Sequence, residues 1–327
     1  MKRKIGFFIL MFFFAAFMFT DFFLHPISIE PIRNSIRLLV STAIIVFFGR
    51  YIIRLKPLFL LFAVLNSILI IFQAFDHYNS SLLPEYLKAE NIVHFDDYRR
   101  SFRNPGVLFG FQIASFVTIY AIEIASTYRF KWRNVVISVM LVSLLFGSRI
   151  VLLSYMFYNL VIRPKNSIKF ALILLFITVI LLSMITVPDA VMDYFKLRFG
   201  FIYDLSNGVF SDYSAKDTIS FYDNINKLSL IDWIIGNGYP QYSSKGGDDP
   251  LYLRYLFQTG FLSLIIIMAS IVYLIISSKY SIRVKFVFVC LFLLTSIKGE
   301  LFTGLLSFEL LVIAFLYGKK NTIHHSK

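Results

Sequence analysis

Residues 135–162 read VVISVMLVSLLFGSRIVLLSYMFYNLVI, with Arg129, Lys131 and Arg133 just before them and Arg163, Lys165 and Lys169 just after. Lysine and arginine in short loops mark the cytoplasmic side of a membrane protein. A stretch flanked by them at both ends must leave the cytoplasm and return, and this one has 28 residues in which to do so. Two full crossings need about 40. The spacing therefore predicts a pair of short helices whose turn, Gly147-Ser148-Arg149, lies at some depth in the membrane. Irregular backbone survives there only if it is buried in protein or lines a wet cavity. Arg149 is expected on the floor of an outward-facing cavity beside an anionic partner, since a cation at that depth costs about 2.5 to 3.5 kcal/mol on insertion scales. The alternative is an arginine that snorkels to the headgroups from one ordinary span.

The rest of the chain supports a membrane reading. Of 327 residues 58% are hydrophobic and 38 are Phe, well above an ordinary soluble domain. The net charge of +13 does not point to nucleic acid, because the cations sit in short clusters between apolar runs. Besides the two clusters above, these are Lys2, Arg3, Lys4; Arg50, Arg54, Lys56; Lys279, Arg283, Lys285; and Lys319, Lys320, Lys327. Taking each cluster as cytoplasmic gives five excursions, hence about ten transmembrane helices with both termini inside. The expected fold is an all-α integral membrane protein, residues 1–327 forming a single polytopic membrane domain. The spans are expected at 5–23, 38–48, 57–75, 106–126, 135–162 as the pair, 168–187, 251–276, 286–296 and 301–317. No small-x-small cleavage site follows residues 5–23, so an uncleaved anchor is expected there rather than a signal peptide. No internal repeat is visible.

Two polar segments then face away from the cytoplasm: about 76–105, and 188–250 between spans 7 and 8. The second carries nine aspartates (Asp189, Asp193, Asp204, Asp212, Asp217, Asp223, Asp232, Asp248, Asp249) against Lys196, Arg198, Lys216, Lys227 and Lys245. A loop of that length is usually functional or disordered, and an acidic one in a basic chain is a candidate for chemistry. Cys290 is the only cysteine and sits in an apolar run, so it forms no intrachain disulfide. His77 and His94 lack ligand spacing and His324-His325 are terminal, so neither a metal nor a cofactor is expected. Two carboxylates fall within spans, Glu309 and Glu123; Glu309 is a candidate partner for an arginine, and Glu123 for a pairing at the inner interface.

Three segments, in order, resemble the O-antigen and capsular polysaccharide polymerase family, the Wzy-type proteins, which is related to the O-antigen ligases. They are Arg103-Asn104-Pro105-Gly106 with Gly110; Ser148-Arg149; and Gly236-Asn237-Gly238-Tyr239-Pro240, followed by Asp248-Asp249-Pro250-Leu251-Tyr252-Leu253-Arg254 and Gly260. Two positions depart from the pattern. Asp249 stands where the ligases usually show His, which favours the polymerase branch, and Lys216 appears where an arginine is often found midway along the long loop.

The resemblance implies a bacterial cytoplasmic (inner) membrane enzyme, a glycosyltransferase of lipopolysaccharide or capsule biosynthesis. It would transfer a growing glycan from undecaprenyl diphosphate to a sugar hydroxyl of the next lipid-linked repeat unit on the outer face. The implied partners are the undecaprenyl-diphosphate-linked oligosaccharide, membrane lipids and a chain-length regulator protein, with no nucleic acid. The residue types fit that chemistry. Arginine forks bind diphosphate oxygens in bidentate geometry and stay charged, which makes Arg149, Arg198 and Arg254 candidates, with Arg103 and Lys216 as further ones. The attacking hydroxyl needs a base, for which Asp249 and its neighbour Asp248 are candidates. Other readings stay open: interfacial snorkelling for Arg198, helix N-capping for Asp248 and Asp249, and an interfacial aromatic belt for Trp233, Tyr239, Tyr242 and Tyr252. Ser148, Gly236, Gly238, Pro240, Tyr252 and Gly260 are expected to be structural. The competing functions are an O-antigen ligase and a transporter of lipid-linked oligosaccharide. The transporter predicts charge spread along an aqueous path and repeat symmetry.

Overall fold

The computed structural model describes residues 2–24, 29–76, 83–88, 106–108, 111–128, 130–162, 228–236, 251–297 and 306–318. Among these the regular structure is entirely helical. The helices are α1 (Lys2–Leu24), α2 (Glu30–Ile52), α3 (Lys56–Asp76), α4 (Phe111–Thr127), α5 (Arg133–Leu145), α6 (Arg149–Ile162), α7 (Leu230–Ile235), α8 (Leu251–Ile276), α9 (Ile282–Ser296) and α10 (Ser307–Tyr317), with 3-10 turns at Ile53–Leu55 and Glu85–Leu87. Three stretches are long and apolar enough to cross a membrane: Arg3–Thr20, Ile32–Phe75, which runs through the 3-10 turn between α2 and α3, and Leu251–Ile276. The described residues are thus all-α, with helices long and apolar enough to span a membrane. The expected span at 168–187 lies outside the described residues. By contact the chain divides into two units, Met1–Arg54 with Tyr213–Lys327, and Leu55–Asp212.

In the first unit α1 packs against α2 and α8, α10 against α2 and α8, and α7 and α9 against α8. The buried stripe of α1 is Phe7, Met11, Phe14 and Met18, spaced for one helical face, while Ile9, Phe12, Phe13 and Phe19 point outward. Apolar residues all round a helix are the mark of a lipid-facing element. The buried contacts also use small polar residues, including Ser35, Thr42, Ser263, Ser270, Thr295 and Ser296, all 2% exposed or less. Small side chains let backbones approach where lipid supplies no hydrophobic drive between helices. Several hydroxyls bond their own helix one turn back, as Thr42 does to the Leu38 carbonyl (2.7 Å) and Ser296 to that of Phe292 (2.7 Å).

The basic ends of this unit lie together. Arg3 donates from Nη2 to the Leu316 carbonyl (2.6 Å) and from Nη1 to that of Ser277 (3.4 Å), so one guanidinium closes the C-terminal ends of α10 and α8. Helix ends leave carbonyls unpaired and carry partial negative charge, and a cation answers both. Lys4 lies 3.8 Å from the ring centroid of Tyr317, whose hydroxyl donates to the Ile45 carbonyl (2.7 Å) of α2.

The second unit packs α3, α4 and α5 mutually and sets α6 against α4 and α5. Its core face on α3 is Ala63, Asn66, Ser67, Ile70, Gln73 and Ala74, and on α4 Ala114, Val117, Thr118, Ala121 and Ala125. Within 135–162 the chain forms two short helices joined by a turn: α5 has 13 residues and α6 has 14, about 20 Å each against a hydrocarbon core of about 30 Å.

Two expected boundaries differ. The span expected at 38–48 is a helix of 23 residues beginning at Glu30, because Arg33 and Arg37 interrupt the apolar run without interrupting the helix. The span expected to begin at residue 106 begins instead at Phe111. Gly106 has φ +68° and sits in a turn, a conformation that cannot open an α-helix.

Candidate functional site

The centre of the first unit's polar architecture is a break in α8. Gly260 has φ 77° and ψ 179°, outside the helical range, and divides α8 into two segments. That region of backbone space is nearly exclusive to glycine. The break frees backbone groups, and nearby hydroxyls take them up: Ser263 Oγ donates to the Gly260 carbonyl (2.9 Å), Thr259 Oγ1 to that of Tyr255 (3.1 Å), and the Thr259 and Ser263 hydroxyls bond each other. Gln258 and Thr259 are 2% and 0% exposed.

The segment filling the break is the end of α7. This short helix starts with a capping box in which Ser229 Oγ accepts the Asp232 N–H (3.2 Å) and Asp232 Oδ2 accepts the Ser229 N–H (3.1 Å). Asp232, one of the nine loop aspartates, is therefore structural. The helix ends at Gly236, φ 78°. A Cβ there would meet the backbone of Gln258 and Thr259, and a Cβ on Gly260 would meet Ile234 and the Gly236 nitrogen. The two glycines read from the third sequence segment thus meet through their backbones.

Immediately before Gly260, the first turns of α8 carry Tyr252 and Arg254. Tyr252 donates its hydroxyl to the Leu293 carbonyl (2.6 Å) near the end of α9, which ties the start of α8 to α9. Arg254 is half-buried, one turn into the helix. Asp248 and Asp249 precede Leu251 by two or three residues in the sequence and lie outside the described residues, as do Gly238 and Pro240.

In the second unit, the turn between α5 and α6 is buried. Ser148 is 2% exposed and donates its N–H to Ser115 Oγ of α4 (2.8 Å). Gly147 is in contact with the same hydroxyl. Ser115 stands about 18 Å along α4 from its end at Thr127, so the turn reaches only partway along its neighbour. Irregular backbone held inside protein in this way meets the condition for its presence at membrane depth. Arg149 is the first residue of α6.

Three polar groups that sequence reasoning passed over complete the picture. Gln73 of α3 makes a two-way pair with Gly106, donating to its carbonyl (3.0 Å) and accepting its N–H (2.9 Å), and also donates to the Leu87 carbonyl (2.8 Å). Asn66 Oδ1 accepts the Val107 N–H (2.8 Å). These amides pin the segment that follows Arg103-Asn104-Pro105, and their seven-residue spacing on an apolar helix was the available signal. Arg37 is the third: its Nη1 lies 3.8 Å from Glu309 Oε1, which also accepts from Ser41 Oγ (2.8 Å). Arg37 and Ser41 are one turn apart on α2 and face α10 together. The expected arginine partner for Glu309 is therefore found. Glu123 accepts from the Tyr155 hydroxyl (3.2 Å).

Arg103, Arg198 and Lys216 lie outside the described residues. Among the described residues no cluster of His, Cys, Asp or Glu could hold a metal ion. Comparison with protein-family models, with curated proteins and with solved structures finds no match to the chain.

Proposed function

We propose that this chain is a membrane glycosyltransferase that polymerises lipid-linked oligosaccharide repeat units into O-antigen or capsular polysaccharide at the outer face of a bacterial cytoplasmic membrane. The topology that goes with this reading has about ten spans, both termini inside, and the 76–105 and 188–250 loops outside. In the reaction, the acceptor hydroxyl of the incoming repeat unit attacks the anomeric carbon at the lipid-linked end of the growing chain. The new glycosidic bond forms as the bond to the diphosphate breaks, and the transition state has oxocarbenium character. Asp249, or Asp248 beside it, takes the hydroxyl proton. Undecaprenyl diphosphate leaves with the bonding pair, its charge met by arginine forks, for which Arg149, Arg254, Arg198 and Arg103, with Lys216, are the candidates.

The observation that carries the reading is the meeting of Gly236 with Gly260. The resemblance treats the Gly236 segment and the start of α8 as parts of one motif, and their backbones pack together at the broken helix. The start of α8, next to the two aspartates and carrying Arg254, is thereby fixed. The buried turn before Arg149, held by the Ser115 hydroxyl, supports the reading in the same way.

An interrupted helix is also a device of transporters, so the oligosaccharide transporter remains the second reading. Deleting the gene and resolving the surface glycan by length separates them. Single repeat units outside without a ladder are expected. Long chains left on the lipid carrier would mean a ligase, and no repeat unit outside would mean a transporter.

A further inference from the structure

The loop between α4 and α5 and the first residue of α5, Tyr128-Arg129-Phe130-Lys131-Trp132-Arg133, alternate aromatic rings with cations and contain no acid. The proposed glycosyl transfer uses none of it. Tyr128 and Phe130 are each 37% exposed and Trp132 is 63% exposed, which is costly for three rings unless something apolar meets them. Beside them opens a cavity of about 510 Å³ lined by Phe130, Lys131, Arg133 and Asn134. Lys131 Nζ lies 5.6 Å from the Trp132 ring centroid. Among the described residues no carboxylate pairs with Lys131 or Arg133.

We propose that this loop binds the phosphate of an anionic phospholipid in the leaflet next to it. Two cations and a carboxamide around a concave opening are donors suited to a phosphate diester, and the net positive field of an acid-free loop selects anionic headgroups over zwitterionic ones. The exposed rings decide between a lipid and a soluble anion. Tyr and Trp settle where headgroup meets acyl chain, and a free phosphate would leave all three rings in water. This inference rests on the membrane placement of the helices and not on the enzymatic reading.

The chain has two tryptophans, Trp132 and Trp233, which allows a direct test on the full protein. With Trp233→Phe, Trp132 is the sole reporter, and the protein is reconstituted into mixtures of phosphatidylglycerol and phosphatidylcholine in which one or the other carries brominated chains. Quenching is expected to favour the brominated anionic lipid by about fivefold or more, the effect of one to two cations at a membrane surface. The preference should fall to near unity in Lys131→Ala/Arg133→Ala and return in Lys131→Arg/Arg133→Lys. With Trp132→Phe, Trp233 should show no preference. Equal quenching by both lipids with the loop intact would overturn the proposal, as would a preference that survives the alanine pair. Loss of the preference on adding excess inorganic phosphate would overturn it too, by making the loop a soluble-anion site.

Discussion

A Cβ on Gly260 would stand 2.6 Å from the Gly236 nitrogen, and one on Gly236 would stand 2.6 Å from the Thr259 nitrogen. Backbone meets backbone at this junction, and no side chain can yield to make room. Each glycine also holds a positive φ near 78°, so space and conformation exclude larger residues independently.

Gly260→Ala and Gly236→Ala are therefore each expected to destabilise the protein by about 2 to 5 kcal/mol, combining the strain of the disallowed backbone with overpacking. Thermal unfolding in detergent checks this. Gly6→Ala is the comparison: its Cβ would meet the end of the Tyr273 side chain, which can rotate, and a smaller loss is expected. Equal losses at all three positions would remove the special status of the junction.

Ser115 holds the Ser148 N–H inside the protein. Ser115→Ala strands that donor and should cost about 1 to 3 kcal/mol. Arg149→Ala, by contrast, should leave the protein inserted and folded while abolishing product, and Arg149→Lys should recover little, since a point charge does not replace a fork. Glycan length on gels, read beside membrane-fraction yield, separates the two effects. Full activity in Arg149→Ala would remove Arg149 from the site.

The Arg37–Glu309 contact joins α2 to α10, and Glu309 Oε2 is buried without a hydrogen-bond partner among the described residues. Removing the cation leaves a carboxylate in a poor solvent. Arg37→Leu alone should destabilise more than Arg37→Leu/Glu309→Leu, because the double variant strands no charge. A double variant no better than the single would mean that the pair contributes little to holding α10.

These residues show how far the sequence carries. The two short helices within 135–162 were readable because 28 residues between two basic clusters are too few for two full crossings. The glycine junction was readable as a motif but not as a contact, since nothing local in Gly236 or Gly260 says which backbone lies opposite. Arg37 escaped because a rule that counts clusters passes over a cation paired across helices. Asn66 and Gln73 escaped because two amides on an apolar helix gain meaning only when the turn at Gly106 is seen against them. Asp232 read as one acid among nine, and the capping box that occupies it depends on where α7 begins.

With Cys290→Ser as background, a cysteine at Lys245 should react with a membrane-impermeant maleimide added outside intact cells, and one at Lys319 should react only after permeabilisation. The gathering of Arg3 with the ends of α8 and α10 requires Lys4 and Lys279 to follow Lys319. Labelling of Lys245→Cys only from the inside would reverse the proposed topology.

The most direct measurement incubates the purified full-length protein with an undecaprenyl-diphosphate-linked repeat unit as the sole substrate and reads product lengths by mass spectrometry alongside released undecaprenyl diphosphate. The account predicts a ladder, one carrier released per bond formed, and neither from Asp249→Asn although that variant still binds donor. Repeat units that stay single under conditions where the protein is folded and binds the donor would contradict it.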